Sequence, residues 1–83
     1  MAANLFNKYI WLADVIYAAG QISKEEIDRK WANCSLNENH DSAIPRRTFL
    51  TWRQQIEELF GLIIDVRRGR GTGIYYIANR DDI

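Results

Sequence analysis

The segment from Pro45 to Ile77 limits the possible folds more than any other part of the chain. Phe49, Trp52, Ile56, Leu59 and Phe60 recur at steps of 3, 4, 3 and 1, which predicts one helix with a single buried face. Pro45 suits the first helical position, where its lack of an N–H is no loss, and Gly61 supplies the stop. Leu62–Arg67 and Ile74–Ile77 are rich in β-branched and aromatic residues. They flank Arg68-Gly69-Arg70-Gly71-Thr72-Gly73, which reads as a hairpin loop. With 83 residues there is room for one modest core, so residues 1–83 are expected to form a single domain.

The N-terminal half adds two helices. Leu5, Tyr9, Leu12 and Ile16 form an apolar stripe from Leu5 to Ala19, and Gly20 ends it. Trp11 and Val15 form an i, i+4 pair on another side of the same helix. They lie either under another part of the domain or against a partner. Ser23-Lys24-Glu25-Glu26 predicts a capping box in which Ser23 and Glu26 satisfy each other's backbone N–H groups, with Ile22 and Ile27 as a hydrophobic staple. The second helix then runs from Lys24 to near Asn33, with Ile27 and Trp31 inward. Asn33 to Ala43 is a polar loop, longer than the turn of the simplest helix-turn-helix. The expected order is helix, helix, helix, strand, strand. This is a mainly α winged helix-turn-helix with a two-stranded wing.

Formal net charge is zero, but the charges are unevenly placed. From Ile44 to Arg80 seven arginines (46, 47, 53, 67, 68, 70 and 80) face only Glu57, Glu58 and Asp65, a surplus of four. The first 43 residues carry four bases and six acids, and Asp81 and Asp82 follow at the C-terminus. Every base in the C-terminal half is arginine, the side chain suited to bidentate contact with phosphate and guanine. Arg46 and Arg47 open the third helix at the end where its dipole favours anions. A polyanion placed opposite that end accounts for them.

Other chemistries lack the residues they need. The Gly69–Gly73 loop is followed by a strand, whereas a phosphate-cradling loop opens a helix. Cys34 is the single cysteine and excludes an internal disulfide, and with the single His40 it makes no zinc site. No nucleophile–base set or paired carboxylates share a plausible face, so neither an enzyme nor a cofactor or metal is expected. No apolar run is long enough to span a membrane, and no signal-peptide pattern opens the chain, which points to the cytoplasm.

The remaining reading is duplex DNA. The helix face opposite the buried one carries Arg47, Leu50, Thr51, Gln54 and Glu58. Its acids come late, so only its N-terminal half suits a groove. Arg46 and Arg47 are expected on phosphate or guanine edges, Thr48 and Thr51 on backbone or base, and Gln54 on a base. Arg68 and Arg70 would lie along the adjacent minor groove or its phosphates, and Arg67 is a further expected DNA-binding residue. Arg68-Gly69-Arg70 looks like the centre of an AT-hook without its proline. The alternative is a winged-helix protein–protein module, favoured by overall neutrality and by the extra apolar surface of the first helix.

Three stretches resemble a known family. Asn4-Leu5-Phe6-Asn7-Lys8-Tyr9-Ile10-Trp11-Leu12, the Ile22–Ile27 helix start, and Arg47-Thr48-Phe49 followed by Arg53-Gln54-Gln55-Ile56-Glu57 are similar to the N-terminal winged-helix domain of bacterial WYL-domain transcriptional regulators. Arg47-Thr48-Phe49 also looks like the opening of the recognition helix in the wider DeoR-like group. The resemblance covers nearly the whole chain. It implies sequence-specific DNA binding for transcription regulation, with the helix opening around Arg47 and Thr48 at the DNA. It also implies a sensory and oligomerising WYL region downstream of an N-terminal domain that ends near Asn79 to Ile83. No small-molecule ligand is expected in this domain. Pairing would come mainly from that downstream region, with at most a weak homodimer here through Trp11 and Val15.

Overall fold

A computed structural model describes residues 2–38, 40–68 and 73–79, with only the backbone for 2–4. Three helices and a three-stranded antiparallel sheet follow the order α1 (Ala2–Ala19), β1 (Gln21–Ser23), α2 (Lys24–Ala32), α3 (Arg46–Phe60), β2 (Ile64–Arg68) and β3 (Gly73–Ile77).

The sheet has one strand more than the two expected. β1 pairs with β3 through Gln21–Tyr76, Ile22–Tyr75 and Ser23–Ile74, so β3 lies between β1 and β2. Three residues are too few to show a period of two, and β1 exists because it covers the open edge of β3. Gly20 makes the sharp change of direction before it, at φ 80°, and donates its N–H to Ile16 O at 3.0 Å.

β1 passes directly into α2. Ser23 Oγ accepts from Glu26 N at 3.2 Å and forms the N-cap, and Ile22 and Ile27 are both buried as the staple predicts. The other half of the capping box is replaced. The Glu26 carboxylate accepts from Arg29 Nη1 at 2.8 Å, and Ser23 already pairs with Ile74 in the sheet.

The core joins all three helices and the sheet around Leu12, Ile16, Ile27, Ile44 and Ile56. An edge-to-face chain of rings crosses it. Trp11 meets Trp31 at 5.2 Å, Trp31 meets Trp52 at 5.5 Å, and Trp52 meets Tyr9 at 6.4 Å. Trp11 and Val15 therefore pack, partly buried, against the core of their own domain.

Four further sequence expectations are corrected. Leu5, Leu59 and Phe60 are exposed, because both helices run past the core where they meet and end in a surface pair, Phe6 against Phe60 at 5.5 Å. Pro45 is the N-cap and not the first helical residue, and its carbonyl accepts the first helical bond, from Phe49 N at 2.8 Å. The second strand starts at Ile64, two residues late, because Gly61 (φ 70°) and the Asn79 side chain occupy the turn before it. α1 begins three residues earlier than the apolar stripe, at Ala2.

The polar Asn33–Ala43 stretch is held from within. Asn37, only 3% exposed, donates to Trp31 O and Asp41 O at 3.1 and 2.8 Å and accepts from Asp41 N at 3.0 Å. Its amide does the work of a local strand pair and closes the loop under the core. The loop then delivers Ile44 as a buried plug.

Candidate nucleic-acid interface

The start of α3 is fixed by α2. Lys24 and Asp28 are an i, i+4 ion pair at 2.7 Å, and both also reach Ile44. Lys24 Nζ donates to Ile44 O at 2.9 Å, and Ile44 N donates to Asp28 Oδ1 at 3.0 Å. One backbone residue is thus gripped at its donor and its acceptor, two positions before the first residue of α3. The Lys24 ammonium also lies 5.2 Å from the Phe49 ring centroid.

The hairpin is fixed to the other end of α3. Asn79 Nδ2 donates to Gly61 O at 2.7 Å, Ile63 N donates to Asn79 Oδ1 at 2.9 Å, and Ala78 N donates to Ile63 O at 2.7 Å. From this base the strands return along the helix. Arg53 Nη2 donates to Ile64 O at 2.8 Å and its guanidinium lies over Tyr75 at 5.2 Å. Tyr75 meets Phe49, one turn into α3, at 4.9 Å. With its base at Gly61 and its middle at Phe49, the hairpin runs toward the N-terminal end of α3, with Arg68 and Gly73 its last described pair.

Strand register assigns the hairpin arginines to faces. Directly paired residues share a face, and faces alternate along each strand. Ile64–Ile77, Val66–Tyr75 and Arg68–Gly73 therefore lie on the helix side, and Arg67–Ile74 and Asp65–Tyr76 on the outer side. Arg68 is exposed on the α3 side near the tip. Arg67 is exposed on the far side, over Tyr76 at 5.4 Å. A Cβ at Gly73 would be 2.9 Å from Val66 Cγ2, so a side chain there would force Val66 to shift. Arg70 lies outside the described residues.

On α3, Arg46, Arg47, Leu50, Thr51 and Gln54 are exposed and Thr48 is half-buried. Thr51 Oγ1 donates to Arg47 O at 3.0 Å, so its proton is engaged and its lone pairs are left to accept. Pro45 provides no side-chain cap and the first turn holds no acid. The amides there are open to an anion, beside two guanidinium groups. Among the described residues the ion pairs are Lys24–Asp28 and Arg29–Glu26, both within α2. Arg46, Arg47 and Arg68 have no acid in reach among those residues.

The structure thus brings Arg46, Arg47, Thr48, Thr51, Gln54 and Arg68 to one end or one helix face, and sets Arg67 on the opposite face of the sheet. Sequence reasoning missed the contributions of Lys24, Asp28, Arg53 and Tyr75, which position the helix and hairpin. Only the i, i+4 spacing of Lys24 and Asp28 was a visible signal for any of them. Among the described residues no group of three or more His, Cys, Asp or Glu could hold a metal, and no helix is long and apolar enough to cross a membrane. Comparison with family models, curated proteins and solved structures finds no match.

Proposed function

We propose that this chain is a winged helix-turn-helix domain that binds double-stranded DNA within a transcriptional regulator, of the WYL-associated, DeoR-like kind that its sequence resembles. The order and pairing of its elements are compatible with that arrangement. The observation that carries the reading is a positive end that has no ion pair among the described residues. Arg46 and Arg47 open α3, and the strand side of the hairpin bearing Arg68 is brought alongside by Phe49–Tyr75. In this reading the first two turns of α3 enter the major groove. Arg46 and Arg47 take phosphate or guanine O6 and N7, and Gln54 takes a base edge. Leu50, exposed beside them, is suited to a thymine methyl. The hairpin tip lies on neighbouring phosphates or in the minor groove.

Selection from a randomised duplex pool tests this reading. Enrichment of a defined motif supports it, and recovery of an unenriched pool at low salt counts against it. A second reading, a protein–protein module, is favoured by the neutral total charge and by a large apolar surface away from the arginines.

A further inference from the structure

Leu50 is an apolar point on a polar, positive face. It is 50% exposed, whereas Phe49 and Trp52 beside it in sequence are buried. On the helix surface its neighbours are the residues three and four positions away, Arg46, Arg47, Arg53 and Gln54, and none of them is apolar. Arg53 is turned to the hairpin, on Ile64 O and Tyr75, and Arg46 and Arg47 have no ion pair among the described residues. A partner that fits this face is anionic around Leu50 and apolar opposite it. The major groove of DNA meets both conditions, because rows of phosphates border a floor on which each thymine presents a methyl group.

Thr51 narrows the choice of base pair. Its Oγ1 donates to Arg47 O at 3.0 Å. With that proton engaged, the hydroxyl offers a base only its lone pairs and therefore selects a donor. The donors in the major groove are adenine N6 and cytosine N4. A T·A pair carries an amino donor and a methyl on one edge, and a C·G pair carries the donor without the methyl. Leu50 and Thr51, side by side and both exposed, match the first and not the second. A helix rises about 1.5 Å per residue, which sets Arg47 about 4.5 Å and Gln54 about 6 Å along the axis to either side of Leu50. Base pairs stack about 3.4 Å apart, so the T·A pair lies between the bases that Arg47 and Gln54 reach, one or two steps from each.

We propose that Leu50 and Thr51 together read one T·A pair at the centre of the site, Leu50 packing on the thymine methyl and Thr51 Oγ1 accepting from adenine N6. This rests on the duplex-DNA reading and adds to it the base pair that the middle of the helix face selects.

The duplex recovered by selection provides the test, titrated with the parent chain, Leu50→Ala and Thr51→Val. Each thymine is replaced in turn by uracil, which lacks only the methyl, and each adenine by purine, which lacks the N6 amino group. At one thymine the replacement is expected to weaken binding by the parent about fourfold, the value of one buried methyl. Leu50→Ala is expected to bind the thymine duplex more weakly and to treat thymine and uracil alike at that position. Purine in place of the adenine paired with that thymine is expected to weaken the parent by roughly three- to tenfold more than it weakens Thr51→Val. The base replacements read the parent chain directly, so the result does not depend on whether a variant folds, and circular dichroism checks the variants. A parent indifferent to uracil at every thymine overturns the proposal. So does a folded Leu50→Ala or Thr51→Val chain that keeps the parent's discrimination. In those cases binding to the selected duplex leaves the DNA reading standing, whereas a pool that never enriches overturns both.

Discussion

Phe49 and Tyr75 meet edge to face at 4.9 Å and 79°, and through this contact the hairpin lies along α3. Replacing either ring by leucine keeps most of the apolar area and removes the edge-to-face geometry. A double-mutant cycle of Phe49→Leu and Tyr75→Leu, followed by urea unfolding, should give a coupling energy of about 0.5–1.5 kcal/mol. Strictly additive changes would show that the rings only happen to be neighbours.

The grip on Ile44 predicts an ordered pair of effects. Asp28→Ala leaves the Ile44 N–H and the Lys24 ammonium without their carboxylate partner. It should destabilise the domain by about 1–3 kcal/mol, the range for an orphaned, partly buried donor. Asp28→Asn keeps an acceptor at the same place and should lose clearly less. Thermal or urea unfolding of the two variants decides. Equal losses would mean that the ion pair matters and the bond to Ile44 does not.

Asn37 should be among the most sensitive polar positions. Asn37→Ala removes three bonds and leaves both the N–H and the carbonyl of Asp41 without this partner, so a loss of about 2–3 kcal/mol is expected. Asn37→Asp is no rescue, since a carboxylate cannot donate to Trp31 O and Asp41 O. Wild-type stability in both variants would show that the loop is held some other way.

Asn37 also shows where the sequence stops being informative. It lies in a run of Asn, Ser, Asp and Glu, and nothing local sets it apart from its neighbours. Its burial follows from how the loop crosses Trp31, which is a tertiary fact. The helices, by contrast, carried strong local signals: the Ser23 cap, the glycines at 20 and 61, and the spacing of Phe49, Trp52 and Ile56. Leu59 and Phe60 continued that spacing but fell outside the core, because periodicity gives a helix its face and not the length its partners cover. β1 was too short to have a period. The arginine cluster was legible as charge. Its division between the two faces of the hairpin depended on register, which the pairing of β2 with β3 supplies.

That division makes a prediction for the arginines. Arg47→Ala should weaken binding to a selected duplex by about 1–3 kcal/mol and relax preference at one base step. Arg68→Ala should weaken binding to all sequences and lower the salt slope by about 1. Arg67, stacked on Tyr76 on the far side of the sheet, should be the least sensitive of the three. Titrations of the three variants against one duplex check the order. A larger effect at Arg67 than at Arg68 would place the contact on the wrong face.

Duplex binding as a function of salt tests the central claim most directly. If Arg46, Arg47, Arg68 and the open amides of α3 meet phosphates, log affinity should fall linearly with log salt, with a slope of about −0.9 for each phosphate neutralised. A handful of contacts is expected for one domain of this size. No duplex binding at the lowest salt, or an affinity that salt leaves unchanged, would contradict the account.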